Sequence, residues 1–328
     1  MSSKIELLAS APLSPYMAAK LEEHFVVHDR SLLADDTALS RVASRIRAVT
    51  GAGDSRVTGE LIGRLPAVEI VSIFGVGYDG VDLPAAKARG ITVTNTPDIL
   101  NDDVADLAMG LMLGIARQLV QADAHVRSGR WSDGPLELGR KLSGARLGLV
   151  GIGRIGQRIA QRAVAFEMSV AYTARHAKEG VPYHYHPDAR SLAVNSDYLV
   201  VITPGGRATE KLIDAQVLQA LGPHGILVNV ARGSVVDEAA LIEALERRTI
   251  AGAALDVFES EPRVPERLRR MPQVLLSPHI GTATQETRRA MADLVIANLL
   301  AHFSGQTLPT PIPECRSESA SSGSGQAH

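Results

Sequence analysis

An apolar run at residues 147–150 passes through three glycines into a helical pattern, and this order limits the folds that the chain can adopt. The glycines are Gly151, Gly153 and Gly156, and the helical stretch 154–166 is followed by a second strand-like segment, Ser169–Thr173. In a dinucleotide turn the first glycine permits the tight bend, the second lets the backbone approach a pyrophosphate, and the third allows close helix-to-strand packing. The flanking strand and helix therefore predict a dinucleotide-binding βαβ unit. A purely structural turn is the alternative.

Length and composition limit what can surround this turn. A chain of 328 residues is most naturally divided into two domains. The net charge of −2 argues against a nucleic-acid surface, and no stretch approaches the length of a membrane span. The single cysteine, Cys315, excludes a disulfide framework and a cysteine-based metal site, so we expect no metal and a reducing compartment. The N-terminal segment does not resemble a signal peptide, and we expect a cytoplasmic protein.

Residues 5–98 alternate short apolar runs with helical patterns, which predicts a parallel sheet covered by helices on both faces. Within them, residues 75–80 repeat the glycine spacing directly after a strand. The helix that follows is too short for a cofactor-binding unit, because Pro84 and the next strand come soon after. We therefore interpret 75–80 as a loop whose backbone amides hold a small anion such as a carboxylate. A plain tight turn is the alternative.

A long helix is predicted from residue 102 to 129, followed by an irregular loop to residue 141 that contains Trp131. Together they carry more apolar surface than a linker should expose, so we predict that 102–141 is the arm of a homodimer. A connector buried in its own subunit is the alternative. A final helix, Gln285–Phe303, returns the chain to the first domain. The predicted domains are a discontinuous substrate-binding domain (1–98 plus 286–315), a dinucleotide-binding domain (99–285) and a disordered tail (316–328).

The end of the second strand of the βαβ unit indicates which dinucleotide binds. An NAD site needs a carboxylate there to accept hydrogen bonds from the ribose. Ala174 occupies that position, and Arg175, His176 and Lys178 follow. A guanidinium can pair with a 2′-phosphate and stack on the adenine. The sequence therefore favours NADP(H), with NAD(H) bound at lower affinity. The alternative is that these basic residues are only solvated.

Three further strands are each followed by a group suited to acid–base chemistry. Arg232 follows one strand, the acids Asp256, Glu259 and Glu261 follow the next, and His279 follows the third. An arginine can clamp a carboxylate, a histidine can supply a proton near neutral pH, and an acid can stabilise the imidazolium. The set suits the reduction of an anionic carbonyl compound. Each residue taken alone is more often a capping, loop or surface residue.

Together these segments resemble the D-isomer-specific 2-hydroxyacid dehydrogenases. The resemblance rests on five segments in a fixed order and covers about residues 5–313; the segments are 74–82, 149–156, 229–238, 255–262 and 277–284. The lack of an acid at Ala174 and the short interval from Glu261 to His279 are most similar to the NADPH-preferring glyoxylate, hydroxypyruvate and hydroxyphenylpyruvate reductases. The resemblance implies two doubly wound parallel-sheet α/β domains, Rossmann-like and flavodoxin-like, with a cleft between them.

The resemblance also implies roles for individual residues. His279 is the acid–base, Glu261 raises its pKa, and Arg232 binds the substrate carboxylate and carbonyl. Backbone amides around Val76 and Gly77 bind the carboxylate, and Ala52 lies in a stretch of small residues that leaves room for substrate. The residues assigned to the cofactor are Gly151, Gly153, Arg154, Ile155, Gly156, Arg175, Thr203, Pro204, Thr209, Val230, Asp256, His279 and Gly281.

The function expected from these residues is NADPH-dependent reduction of a small 2-oxo acid, of the glyoxylate or hydroxypyruvate type, to the D-2-hydroxy acid. Two alternatives stay open. One is the reduction of bulkier 2-oxo acids such as phenylpyruvates. The other is a non-catalytic protein that senses NADP(H), since some members of the family act as transcriptional corepressors.

Overall fold

The computed structural model describes residues 4–53 and 55–315, so the tail predicted to be disordered, 316–328, lies outside the described residues. The chain divides into two units. Unit 1 comprises Met1–Leu100 and Thr284–His328, and unit 2 comprises Asn101–Ala283. The chain therefore leaves unit 1 after Leu100 and returns to it at Thr284.

Unit 1 is built on a five-stranded sheet. Its strands are β1 (Ile5–Ala9), β2 (Phe25–His28), β3 (Ile46–Ala52), β4 (Ile70–Phe74) and β5 (Thr92–Thr94). Its helices are α1 (Pro15–His24), α2 (Asp36–Val42), α3 (Gly59–Arg64), α4 (Leu83–Ala88) and the C-terminal helix Gln285–Phe303. Neighbouring strands are parallel in the order β2-β1-β3-β4-β5, so the order reverses between β1 and β3. This is the flavodoxin-like arrangement, in which ligands bind beyond the carboxyl ends of the strands.

Both faces of this sheet are buried, which explains why its strands read as nearly continuous apolar runs. On one face, α1 and the C-terminal helix bury a cluster that includes Leu7, Leu21 and Leu299. The opposite face buries a cluster that includes Val49 and Ile73. Each of the helices α1 to α4 begins after a polar residue whose side chain accepts a hydrogen bond from an amide of the first turn. These N-caps are Ser14, Asp35, Thr58 and Asp82.

Unit 2 is built on a seven-stranded sheet. Its strands are β6 (Arg146–Val150), β7 (Ser169–Thr173), β8 (His184–His186), β9 (Tyr198–Val201), β10 (Ile226–Asn229), β11 (Gly252–Leu255) and β12 (Val274–Leu276). Its helices are α5 (Asn101–Ala116), α6 (Leu119–Arg127), α7 (Arg154–Ala165), α8 (Ala189–Val194), α9 (Ala215–Leu221), α10 (Glu238–Glu246) and α11 (Glu266–Arg270). All neighbours are parallel in the order β12-β11-β10-β9-β6-β7-β8. The two parallel sheets confirm the predicted fold class.

The prediction of one helix over 102–129 is wrong. The helix ends at Ala116, Gln118 adopts a left-handed conformation with φ of 52°, and a second helix begins at Leu119. The Ala116 carbonyl accepts a hydrogen bond from the Arg140 amide at 2.7 Å instead of continuing the helix. The two pieces also differ in burial, since α5 packs on α7 and β11 whereas α6 has no buried residue. Only the second piece exposes apolar surface in the way expected of an arm.

Within 4–53 and 55–315, no helix is long and apolar enough to cross a membrane. The same ranges hold no group of three or more histidine, cysteine, aspartate or glutamate side chains arranged to bind a metal ion. Short 3-10 turns complete the described structure, at Arg30–Ala34, Arg130–Ser132, Gly233–Val235 and Pro313–Cys315.

Candidate active site

The glycine turn of unit 2 joins β6 to α7 at the point where the strand order reverses. Gly151 has φ of +108°, and a Cβ there would lie 2.8 Å from the Ile202 carbonyl oxygen, which begins the loop after β9. A Cβ on Gly156 would lie 2.5 Å from the Gly151 oxygen, whereas a Cβ on Gly153 would meet nothing within 4 Å. Gly151 and Gly156 thus permit close packing, and Gly153 leaves open space at the N-terminus of α7. That arrangement fits a pyrophosphate against the amides of α7.

The loop after β9 lies beside this turn. Thr203 and Pro204 begin it, and the Thr209 hydroxyl closes it by donating to the Pro204 carbonyl oxygen at 2.6 Å. Val230 follows β10 at the same edge of the sheet and is 7% exposed. The residues assigned to the cofactor in this part of the chain therefore follow neighbouring strands, as binding at a switch point requires.

The basic residues after β7 form a loop that is held by two tyrosines. The Tyr172 hydroxyl accepts a hydrogen bond from the Lys178 amide at 2.8 Å, and the Tyr185 hydroxyl donates to the Ala174 carbonyl oxygen at 3.4 Å. Arg175 is exposed within this loop. The loop is thus fixed by buried and half-buried rings, while its guanidinium is free to reach a ligand.

His279 and Glu261 form a direct pair. With Nδ1 protonated, His279 donates to the Glu261 Oε2 at 2.7 Å, and the Phe258 amide donates to Oε1 at 3.0 Å. The hydrogen bond to Glu261 raises the pKa of His279 despite partial burial. Burial alone would raise the pKa of Glu261, but the hydrogen bonds from His279 and Phe258 outweigh it and lower that pKa. Because Nδ1 of His279 is bonded to Glu261, the other ring nitrogen, Nε2, can donate a proton to a substrate.

Asp256 holds the loop that carries His279. Its Oδ1 accepts from the Ser277 hydroxyl at 2.6 Å and from the Ile280 amide at 2.9 Å, and its Oδ2 accepts from the Gly281 amide at 2.9 Å. The Asp256 backbone oxygen accepts from the His279 amide at 2.8 Å. Burial raises the pKa of this carboxyl, which is 2% exposed. These contacts hold His279 at φ of 53°, a conformation that a non-glycine residue rarely adopts.

Arg232 follows β10 and lies near the pair. Its charge acts on both Glu261 and His279, lowering the pKa of each, although it is not the main influence on either. Gly233 brings the two loops into contact, because a Cβ there would lie 1.9 Å from the Phe258 carbonyl carbon. Unit 2 thus brings together the arginine, the acid and the histidine that the sequence singled out. Sequence reasoning missed the anchoring by Asp256 and the close approach at Gly233.

Unit 1 carries the other residues assigned to substrate. Ala52 ends β3, and Val76 and Gly77 lie in the loop directly after β4. The Thr96 hydroxyl accepts from the Gly75 amide at 2.9 Å, and the Asn95 side chain donates to the Val76 carbonyl oxygen at 2.8 Å. Within the described ranges, no residue accepts a hydrogen bond from the N–H of Val76 or Gly77. The loop is therefore fixed through other groups, and two amides remain for a ligand.

An open parallel sheet with a glycine turn at its switch point, and a histidine–carboxylate pair at the same edge, defines an NAD(P)-dependent oxidoreductase. The family described as D-isomer specific 2-hydroxyacid dehydrogenase, NAD binding domain, matches residues 109–281. The chain belongs to the D-isomer-specific 2-hydroxyacid dehydrogenase family.

Individual relatives match over nearly the whole chain. A glyoxylate/hydroxypyruvate reductase A of Arabidopsis thaliana is 47% identical over 314 residues, covering 94% of this chain and 99% of the relative. A hydroxyphenylpyruvate reductase of Plectranthus scutellarioides is 46% identical over 309 residues, with coverage of 94% and 99%. The solved structure of an NADPH-dependent glyoxylate/hydroxypyruvate reductase from Sinorhizobium meliloti, in complex with NADP and malonate, matches at 45% identity and a TM-score of 0.90. It covers 95% of this chain and 98% of the other.

Proposed function

We propose that this protein reduces a small 2-oxo acid, of the glyoxylate or hydroxypyruvate type, to the D-2-hydroxy acid with NADPH as the reductant. The observation that carries the proposal is the 2.7 Å contact between His279 and Glu261 beside Arg232. A raised pKa increases the fraction of His279 that is protonated near neutral pH, and the protonated form is the one that carbonyl reduction consumes. The reductases that this chain resembles in Arabidopsis and Sinorhizobium support the choice of substrate class.

Each catalytic residue has a separate task in this proposal. His279 donates the Nε2 proton to the carbonyl oxygen, and Glu261 stabilises the imidazolium until that transfer occurs. Arg232 binds the carboxylate and carbonyl of the substrate through its planar guanidinium. The amides of Val76 and Gly77 bind the carboxylate, and Ala52 leaves room for the substituent. Bound nicotinamide supplies the hydride.

We assign the dinucleotide to unit 2 and propose that NADP(H) is preferred, with NAD(H) bound at lower affinity. The glycine turn and Arg154 with Ile155 at the start of α7 bind the pyrophosphate. Arg175 pairs with the 2′-phosphate, since Ala174 leaves no carboxylate to repel it. Thr203, Pro204, Thr209, Val230, Asp256 and Gly281 complete the cofactor-binding set.

We further propose that the chain forms a homodimer in the cytoplasm through residues 119–138. Half of the exposed large apolar side chains in the described ranges lie in this segment: Leu119, Val120, Val126, Trp131 and Leu138. Leu138 is 96% exposed and Trp131 is 69% exposed. Exposed aromatic and aliphatic residues clustered in one segment indicate an interface. The buried helix α5 lies outside the proposed contact.

The test is a kinetic panel on the purified protein. We expect NADPH oxidation with glyoxylate and hydroxypyruvate, weaker activity with NADH, and no turnover by His279→Ala although it still binds NADPH. High activity with phenylpyruvates alone would favour the bulkier substrates, a candidate that the Plectranthus relative keeps open. Tight NADPH binding with no turnover of any 2-oxo acid would favour a sensing protein and refute the enzymatic proposal.

Exchanging Arg175 for Asp separates the choice of cofactor from the chemistry. We expect this variant to bind NADPH much more weakly while its NADH affinity changes little, because the new carboxylate repels only the 2′-phosphate. Lys178→Gln is the matched control, since its backbone amide keeps the contact with Tyr172. Equal losses for NADPH and NADH in Arg175→Asp would remove the phosphate clamp from the proposal.

A further inference from the structure

Arg288 is a half-buried cation that has no part in the proposed proton transfer or in the proposed cofactor site. It lies one turn into the C-terminal helix, after the N-cap Thr284. Its guanidinium carbon lies 5.3 Å from the centre of the Phe74 ring. Phe74 is the last residue of β4, so the residue after it begins the loop that contains Val76 and Gly77. The arginine therefore packs on the last residue of the strand that leads into the loop with the amides of Val76 and Gly77.

The guanidinium of Arg288 is unusual because no carboxylate among residues 4–53 and 55–315 pairs with it. Arg162, also partly buried, pairs with Asp102 at 3.0 Å and with Asp106 at 2.6 Å. Burial lowers the pKa of Arg288, and no nearby acid opposes that effect. A partly desolvated cation without a counterion is costly unless an anion reaches it from outside the chain.

The neighbouring Arg289 has a different environment from Arg288. Arg289 is exposed and lies over Tyr16 at 5.8 Å, on another side of the same helix. A ring face holds the planar guanidinium of Arg288 in one orientation and leaves its edge N–H groups for hydrogen bonds. Such an edge matches a carboxylate, which the amides of Val76 and Gly77 also suit.

We propose that Arg288 is a substrate-binding residue, whose guanidinium binds the carboxylate of the 2-oxo acid together with the amides of Val76 and Gly77. This inference rests on the proposed function for the identity of the anion. Arg288 acts on binding and not on proton transfer, so it affects the Michaelis constant for the acid more than the turnover number.

The test compares Arg288→Met, which keeps the length but removes the charge, with Arg288→Lys and with the control Arg289→Met. For Arg288→Met we expect the KM for glyoxylate to rise about 10-fold or more, as loss of a charge-assisted hydrogen bond implies. The kcat and the KM for NADPH should change by less than about threefold. Arg288→Lys should recover part of the loss, and Arg289→Met should behave as wild type.

A direct binding measurement separates this inference from the proposed function. Calorimetry of oxamate, an unreactive carboxylate, with the NADPH-loaded protein should show the same rise in Kd for Arg288→Met. If wild type binds oxamate but reduces no 2-oxo acid, the proposed function fails while the oxamate comparison still decides the role of Arg288. Unchanged KM for glyoxylate and unchanged Kd for oxamate in Arg288→Met would overturn the inference. If that variant does not fold, Phe74→Leu, which keeps the charge but removes the ring face, should raise both constants, and no rise would overturn it.

Discussion

Replacing Glu261 by Gln tests the pair on which the proposed chemistry depends. The substitution keeps the size of the side chain and its hydrogen bond from the Phe258 amide, but removes the negative charge that faces Nδ1 of His279 at 2.7 Å. Because the hydrogen bond to Glu261 is the main cause of the raised pKa of His279, that pKa should fall in the variant. Less of the imidazole is then protonated at neutral pH.

The size of the effect follows from the strength of the contact. A hydrogen bond to a charged group contributes about 1.5–3 kcal/mol, which corresponds to about 10- to 150-fold in an equilibrium or rate. The His279 side chain is 40% exposed, and solvent therefore favours the lower end of this range. We expect kcat/KM for glyoxylate to fall about 10-fold at neutral pH.

The pH profile gives the more specific signature. Reduction uses protonated His279, so the rate is highest below its pKa and falls as the pH rises through it. In wild type this fall should occur above the ordinary histidine value, and in Glu261→Gln it should begin at lower pH. The reverse oxidation needs neutral His279, and its onset should move to lower pH as well.

Glu259→Gln is the matched control, because Glu259 belongs to the same turn but is exposed. Its rate and pH profile should equal those of wild type. A Glu261→Gln variant with an unchanged profile would refute the assignment of Glu261 as the partner of the catalytic histidine. The same result in Glu259→Gln and Glu261→Gln would indicate a general charge effect of the loop.

Three further predictions concern the turn, the anchor and the dimer. Gly156→Ala should destabilise unit 2 by about 1–3 kcal/mol in thermal denaturation, since the new Cβ would meet the Gly151 oxygen at 2.5 Å, whereas Gly153→Ala should keep the melting temperature. Asp256→Asn should lower kcat more than it raises the KM for NADPH, because an amide NH₂ would face one of the donors that fix the His279 loop; an unchanged kcat would remove Asp256 from that role. Leu138→Glu should convert a dimer into a monomer in light scattering, while the exposed Val194→Glu should not; a wild-type monomer would exclude the proposed interface.

Much of the parallel architecture can be predicted from the sequence, because buried strands leave apolar runs and the turns between them carry glycine, proline or capping residues. The strand Ser169–Thr173 has the predicted bounds for this reason. The strand His184–His186 was not predicted, since three residues of the sequence His-Tyr-His show neither an apolar run nor an alternation. Its place is set by pairing with β7.

The break in the predicted helix over 102–129 has no local sequence signal. Gln118 is neither glycine nor proline, and the apolar spacing continues past it. The break depends on Arg140, which takes the Ala116 carbonyl from a distant part of the chain. Such long-range competition for a backbone group is outside the reach of a pattern that compares neighbouring residues.

The candidate site shows the same division between local and long-range information. His279, Arg232 and a group of acids that includes Glu261 could be singled out because each follows a strand, and parallel strands bring their carboxyl ends to one edge. The choice of Glu261 among the acids rests on the resemblance to the family. The role of Asp256 as an anchor could not be predicted from the sequence. The amides of Ile280 and Gly281 point at its carboxylate because His279 adopts a left-handed conformation. Arg288 was missed because its significance lies in the absence of an acidic partner among the described residues, which a sequence pattern does not show.

Isotope transfer in a single turnover shows whether the protein moves a hydride from NADPH to the 2-oxo carbon. NADPH deuterated at the reactive C4 position, hydroxypyruvate and wild-type protein should yield a D-2-hydroxy acid with deuterium at C2, and His279→Ala should yield none. A wild-type protein that oxidises no cofactor, or a product that lacks deuterium at C2, would exclude hydride transfer from NADPH to the 2-oxo acid.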